Sequence, residues 1–136
     1  MQITFSKQEA RVPVTILHLA GNLDASNYTD VIKAAQDVFD GGARNLVIDL
    51  AGIPYVSSAG LMSLHAVALI FVGRNLQSEP AKRPSFRALD PTRDQTARQH
   101  VKLLSPQPAV EQVLDTVGLK QFFEVFTDLE SAVKSF

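Results

Sequence analysis

The stretch YVSSAGL at residues 55–61 decides the fold, because it joins a buried strand to a helix through a short loop. Before it, NLVIDL at residues 45–50 is a compact apolar run, typical of a strand covered on both faces. After it, apolar residues recur at helical spacing, which predicts a helix from Ser58 to Arg74. The inner stripe of that helix consists of Leu61, Leu64, Ala68 and Phe71.

Strand patterns recur on both sides of this unit. Residues 2–6 alternate between polar and apolar side chains, and residues 12–20 are β-branched and mostly apolar. Residues 101–104 and 122–126 are shorter apolar runs with the same character. With residues 45–50, these runs predict a sheet of about five strands.

Helices are expected between these strands, and their ends carry the usual sequence signals. Asp24 or Ser26 is expected to cap the first helix, and the pair GG at residues 41–42 is expected to end it. SP at residues 105–106 is expected to open the third helix. TDLE at residues 127–130 resembles a capping box, which predicts a short final helix.

The alternation of strands and helices predicts a single α/β domain over residues 1–136, with a mostly parallel sheet and four to five helices. The first two strands can be antiparallel, because only residues 7–11 join them. Residues 73–100 do not fit this alternation of strands and helices, because they contain three prolines and many charged residues, six Lys/Arg against three Asp/Glu. This segment is predicted to be an inserted, exposed excursion with a short helix near residues 91–99, because long structureless connections are uncommon inside compact domains.

Composition excludes several functional classes. The net charge is −1, so no overall positive field is available to hold a nucleic acid. The chain has no Cys, which excludes disulfides, thiolate metal sites and thiol nucleophiles. No signal peptide or membrane-length apolar run is evident, which favours a cytoplasmic location.

Ser57 and Ser58 form the first candidate site, because they stand at the predicted start of a helix. Helix N-termini present unpaired N–H groups and a partial positive charge, which stabilise a phosphate on a nearby serine. The small residues Ala59 and Gly60 leave room for close approach by another molecule. The alternative is that one of the two serines only caps the helix.

Asp24, in GNLD at residues 21–24, is the second candidate. It too follows a strand and precedes a helix, so neighbouring parallel strands would place it on the same face as Ser58. There its carboxylate could accept a hydrogen bond from the serine hydroxyl, or help to hold the metal ion of a phosphoryl donor. The alternative is an N-cap aspartate without further function.

In their order, GNLD, the strand LVIDL and the stretch YVSSAGL resemble the STAS family, which includes bacterial anti-sigma factor antagonists and the tails of sulfate transporters. The resemblance covers residues 2–73 and 101–136. It implies that Ser58 is phosphorylated by a serine kinase that is itself the anti-sigma factor, and that a PP2C-type phosphatase resets the switch. It also implies a partner-binding surface composed of Asn22, Asp24, Ser57, Ser58, Ala59, Gly60 and Met62.

Two features depart from the family pattern. Ser57 stands where the commonest motif has an aspartate, and residues 73–100 have no counterpart in the compact antagonists. Insertions at this point resemble those of transporter-associated members. The alternative function is a non-switching STAS scaffold or a ligand-sensing module for an anion or a nucleotide, associated with a transporter or a signalling assembly.

An enzyme is not expected. The three histidines, His18, His65 and His100, are scattered, and His65 lies two helical turns beyond Ser58 on the predicted helix. His18 is expected to be a satisfied, buried histidine of a core strand. The sequence carries no P-loop, dinucleotide fingerprint or nucleophile elbow, and no cofactor or metal site is expected.

Overall fold

The computed structural model describes residues 1–71, 100–121 and 123–136. Its sheet has five strands, which lie in space in their sequence order. They are β1 (Gln2–Glu9), β2 (Pro13–Ala20), β3 (Leu46–Gly52), β4 (Val101–Leu104) and β5 (Glu124–Phe126). β1 is antiparallel to β2 and every other neighbouring pair is parallel, which confirms the predicted mostly parallel α/β sheet.

Four α-helices accompany the sheet in the described part of the chain. They are α1 (Tyr28–Asp40), α2 (Ser58–Phe71), α3 (Pro108–Thr116) and α4 (Leu129–Lys134), and a 3₁₀ turn spans Leu119–Gln121. The first three follow β2, β3 and β4, as expected for parallel strands, whose crossover connections are usually helical. Their number agrees with the prediction of four to five helices.

The helices cover the two faces of the sheet unequally. α1, α2 and α3 pack on one face, where the main core joins strand residues such as Ile48 to helix residues such as Leu64. The short α4 packs on the other face, where Val133 belongs to a smaller cluster with Ile16 and Val47. Because α4 has only six residues, part of its face of the sheet stays open to solvent.

The pairing of β2 with β3 positions the segments that follow both strands. Because the strands are parallel, their carboxyl ends meet at one edge of the sheet. Just beyond that edge, Leu23 and Val56 form an isolated parallel bridge. The turn after β2 and the loop after β3 therefore run side by side as they approach their helices.

The cap predicted for α1 is wrong. Asn27, and not Asp24 or Ser26, precedes the first helical residue, and its side chain makes no cap hydrogen bond. The amide of Asn27 is used in the turn: its Oδ1 accepts from the Asp24 N–H at 3.0 Å, and its Nδ2 donates to the Asn22 carbonyl at 2.7 Å. The expected end at residues 41–42 is confirmed, with Gly41 as the C-cap.

The starts of the last two helices also differ from the prediction. Ser105 does not open α3: its N–H and hydroxyl donate to the carbonyls of Phe126 and Thr127 at the end of β5. α3 starts at Pro108 instead. α4 is capped by Asp128, whose carboxylate accepts from the Ser131 N–H at 2.9 Å, so the cap lies one residue later than the predicted capping box.

The strand bounds differ slightly from those expected. β1 runs on to Glu9, because the antiparallel ladder pairs every residue from Gln2↔Ala20 to Glu9↔Pro13. β5 starts at Glu124, and Phe122 lies outside the described residues. The predicted end of α2 at Arg74, and the predicted excursion at residues 73–100 except for His100, also lie outside them.

Candidate functional site

The two serines at the start of α2 have different roles. The Ser57 hydroxyl accepts a hydrogen bond from the Gly60 N–H at 3.2 Å, so Ser57 is the cap of the helix. Ser58 is the first helical residue and is exposed. Its hydroxyl makes no hydrogen bond to any residue that the structure describes, so the capping role does not occupy Ser58.

Two backbone hydrogen bonds hold the turn after β2 against this helix start. The Leu23 N–H donates to the Tyr55 carbonyl at 3.0 Å, and the Ser57 N–H donates to the Leu23 carbonyl at 2.9 Å. Asp24 follows Leu23 directly, and Ser58 follows Ser57. The structure therefore brings the two candidate segments together, as the sequence predicted from neighbouring parallel strands.

Gly60 allows this close approach. A Cβ atom at Gly60 would lie 2.6 Å from the Leu23 carbonyl oxygen and 2.7 Å from Val56 Cγ2. Real Cβ atoms essentially never approach so closely, so the position requires glycine. Gly60 is buried, and the room it leaves is filled by Leu23 of the same chain and not by another molecule.

Asp24 places a negative charge in the turn that is held against the start of α2. Its Oδ1 accepts from the Ser26 hydroxyl at 2.5 Å and from the Ser26 N–H at 2.9 Å. These hydrogen bonds from the Ser26 hydroxyl and N–H lower the pKa of the Asp24 carboxyl below its ordinary value, so the group stays ionised near neutral pH. The expected hydrogen bond from the Ser58 hydroxyl is absent among the contacts described; Ser26 supplies that donor instead.

The surface around Ser58 is mostly uncharged. Residues 55–64 contain no charged side chain, and the first turn of α2 has no acidic residue to offset its positive end. A phosphate on Ser58 would therefore meet the N-terminal end of a 14-residue helix directly.

We call the accessible group of residues at this edge the switch surface. Asn22 is exposed, while Asp24, Ser57, Ala59 and Met62 are half-buried, and all of them lie in the two adjoining segments with Ser58. Tyr55, which the sequence analysis did not single out, is 56% exposed and belongs to the same surface. The sequence could have indicated Tyr55, because neighbouring side chains in an extended segment point to opposite sides, so an inward Val56 implies an outward Tyr55. The switch surface thus consists of Asn22, Asp24, Tyr55, Ser57, Ser58, Ala59 and Met62.

The histidines do not serve the switch surface. His65 is buried within α2, and His100 Nδ1 lies 3.0 Å from Asn45 Oδ1. The side chain of His18 is 37% exposed, so the expectation of a buried core histidine is wrong. His18 projects from the α4 face of the sheet, away from α2, because it alternates along β2 with the core residue Leu17 on the opposite face.

Two other kinds of feature are absent from the part of the chain that the structure describes. No group of three or more His, Cys, Asp or Glu side chains is arranged to hold a metal ion there. No helix of that part combines the length and apolar character needed to cross a membrane.

Comparisons with known proteins identify a family for this chain and solved structures with the same fold. A family model described as "Mlab, STAS domain" matches residues 6–83, which is more than half of the chain. A comparison with curated proteins gives no match. Among solved structures, an anti-sigma factor antagonist from Mycobacterium paratuberculosis is 19% identical, with a TM-score of 0.65 over 98% of this chain and 93% of that one.

Two further structures represent the two branches of the resemblance. The Bacillus cell fate determinant SpoIIAA, in its phosphorylated form, is 15% identical with a TM-score of 0.56, covering 96% of this chain and 97% of that one. The murine anion transporter Slc26a9 is 15% identical with a TM-score of 0.56, covering 89% of this chain but only 17% of the transporter. At these identities the likeness shows a shared fold.

Proposed function

Because the chain belongs to the STAS domain family, we propose that it is a phosphorylation-controlled protein-binding switch, an anti-sigma factor antagonist whose regulated residue is Ser58. One observation carries the proposal: Ser57 caps α2, which leaves the exposed hydroxyl of Ser58 available at the positive end of the helix. A kinase could modify Ser58 without removing the bond that starts the helix.

The unphosphorylated switch surface would bind a serine kinase that is itself the anti-sigma factor. Its composition suits such a contact, because the exposed Tyr55 shares the surface with mostly small and uncharged side chains. A PP2C-type phosphatase would remove the phosphate and restore binding. In this scheme the protein acts in the cytoplasm of a bacterium and controls transcription without touching nucleic acid.

Phosphorylation would break the complex by charge. A phosphoserine adds close to two negative charges, which an interface formed around a neutral hydroxyl cannot accommodate without repulsion and loss of hydration. The ionised Asp24 beside the helix start would add to the repulsion. A cost of about 1.4 kcal/mol weakens binding tenfold, so a few kcal/mol suffice for a switch.

The first test maps the phosphate. The purified protein is incubated with a serine-kinase anti-sigma factor and ATP, and phosphopeptides are identified by mass spectrometry. We expect phosphate on Ser58, its loss in Ser58→Ala, and its retention in the matched control Ser57→Ala. Phosphate on Ser57, or on neither serine, would refute the assignment of Ser58.

The second test compares two variants in a pull-down with the same kinase. Ser58→Ala should retain the kinase, because it keeps the surface neutral, and Ser58→Asp should lose it. Equal capture of both variants would contradict a switch that works through charge.

A second candidate function is a non-switching STAS module that binds an anion or a nucleotide at the start of α2. The likeness to part of an anion transporter and the absence of an acidic residue from the first turn of α2 favour it. Titration of the ¹⁵N-labelled protein with inorganic phosphate and with nucleotides distinguishes the two proposals. Saturable shifts at Ser58 and Ala59, together with no phosphorylation by the kinase, would select the sensor.

A further inference from the structure

A second group of reactive side chains lies on the α4 face of the sheet, on three neighbouring strands. Ser6 Oγ in β1 is 2.9 Å from His18 Nε2 in β2. His18 Nδ1 is in turn 2.9 Å from Asp49 Oδ2 in β3. The strand register creates the group, because His18 pairs directly with Asp49, and Ser6 lies two residues beyond Thr4, the β1 partner of His18, on the same face of the sheet.

The hydrogen bonds around Asp49 determine where the protons are. An ionised carboxylate only accepts hydrogen bonds, and Asp49 Oδ1 already accepts one from the Ala51 N–H at 3.0 Å. The proton between His18 and Asp49 therefore belongs to His18 Nδ1. In the neutral ring, Nε2 is then an acceptor, and the Ser6 hydroxyl donates to it.

The three side chains are thus arranged like a serine nucleophile with a base and an orienting carboxylate. The serine oxygen faces Nε2, and the carboxylate holds Nδ1, which is the geometry by which such groups are recognised on unrelated folds. Ser6 is exposed, whereas the side chains of His18 and Asp49 are 37% and 22% exposed. A reagent can therefore reach the nucleophile while its base and orienting group stay partly shielded.

We propose that Ser6 is a nucleophilic serine that accepts an acyl group from small activated esters, with His18 as its general base and Asp49 as a positioning residue. The Ser6 oxygen forms the new bond to the acyl carbon, and its proton passes to His18 Nε2. The bond from the acyl carbon to the leaving oxygen breaks, that oxygen departs with the electron pair, and His18 gives up the proton to the leaving group or to water. The product is an ester on Ser6, which water hydrolyses when His18 again acts as base. This site lies outside the switch surface and does not depend on the function of Ser58.

The first experiment uses p-nitrophenyl acetate as the acyl donor. We expect a burst of p-nitrophenolate, one acetyl group in the intact mass, and its location on Ser6 by peptide mapping. Ser6→Ala and His18→Gln should remove the burst, whereas Ser135→Ala, an exposed serine on another element, should keep it. Acetylation of lysines or the N-terminus alone, or an unchanged burst in Ser6→Ala, would overturn the proposal.

The second experiment replaces the nucleophile by a thiol. The chain has no Cys, so Ser6→Cys introduces a single thiol next to His18, and Gln8→Cys introduces one on the same strand face, opposite Val14. A neighbouring histidine increases the thiolate fraction, so iodoacetamide should modify Ser6→Cys at least about tenfold faster near pH 7. Adding His18→Gln should abolish the difference. Equal rates for the two single variants would show that His18 does not act on position 6.

Asp49→Asn tests the positioning role. The Asn oxygen can still accept from Ala51, but its amide donates to His18 Nδ1 and moves the ring proton to Nε2. ¹⁵N NMR of His18 should report this change of tautomer, and acylation of Ser6 should fall by at least about tenfold. An unchanged tautomer with an unchanged rate would remove Asp49 from the site.

Discussion

Replacing Gly60 by alanine tests how the switch surface is built. The new Cβ would lie 2.6 Å from the Leu23 carbonyl oxygen, 2.7 Å from Val56 Cγ2 and 2.8 Å from Leu23 Cγ. One of these atoms belongs to the backbone, which cannot rotate away as a flexible side chain can. The first turn of α2 must therefore move away from Leu23.

The magnitude follows from two opposing effects. Alanine is favoured over glycine inside a helix by about 1 kcal/mol, and overpacking of a well-packed site costs about 3 kcal/mol at the upper end of its usual range. The expected net loss in the free energy of unfolding is therefore about 2 kcal/mol. In a domain of this size that corresponds to a fall of about 8 °C in Tm.

Thermal unfolding followed by circular dichroism measures this loss, with Gly41→Ala as the matched control. A Cβ at Gly41 lies 3.4 Å from the nearest carbonyl oxygen and its φ is −76°, so alanine fits there and should leave Tm unchanged or slightly higher. Gly60→Ala should also weaken kinase binding, because moving the first turn of α2 away from Leu23 disturbs the hydrogen bond from the Ser57 N–H to the Leu23 carbonyl. A Tm for Gly60→Ala equal to that of Gly41→Ala would refute the packing argument.

Three further predictions concern stability and can be measured by urea unfolding. Ser57→Ala removes the cap of α2 and should cost about 1 kcal/mol, and an unchanged midpoint would contradict the cap. Glu124→Ala removes the carboxylate that lies 3.0 Å from the buried Lys102 ammonium, and it should lower the free energy of unfolding by about 2 kcal/mol. This is less than the usual cost of breaking a buried ion pair, because the Glu124 side chain is 40% exposed. Lys102→Met should leave the free energy of unfolding nearly unchanged, because it removes the buried charge as well. The N-cap hydrogen bonds from Ser131 lower the pKa of the Asp128 carboxyl in the folded protein, so in acid the unfolded chain binds more protons than the folded one. The stabilisation by ionised Asp128 is therefore present above the ordinary pKa of 3.8 and is lost as the pH falls through the lower pKa of the folded state. Asp128→Asn should therefore lose less stability than the parent between neutral pH and about pH 3, and equal losses would count against this linkage.

The sequence predicted the order of elements because each strand and helix has its own periodicity. It predicted the meeting of Asp24 with the start of α2 because the intervening strands are parallel neighbours. It failed at the starts of α1, α3 and α4, since an N-cap depends on which of several adjacent polar residues is used elsewhere. Asn27 closes a turn, and Ser105 bonds to the end of a strand that lies far along the chain.

The group formed by Ser6, His18 and Asp49 shows a different limit. Its members are separated by 12 and 31 positions, and they meet only because of the register of three strands. Periodicity predicts that a segment is a strand, but it does not fix which residue lies opposite which. His18 was expected in the core for a different reason: the strand pattern did not reveal that the six-residue α4 leaves part of one sheet face open.

The central claim is that the charge state of Ser58 controls partner binding. Its most direct test is to measure the Kd of the serine-kinase anti-sigma factor for two samples of this protein, one unphosphorylated and one carrying phosphate on Ser58 alone, at the same ionic strength. We predict that the unphosphorylated protein binds and that phosphate on Ser58 weakens binding by at least about a hundredfold, or about 2.7 kcal/mol. Equal dissociation constants for the two samples would contradict the proposed switch.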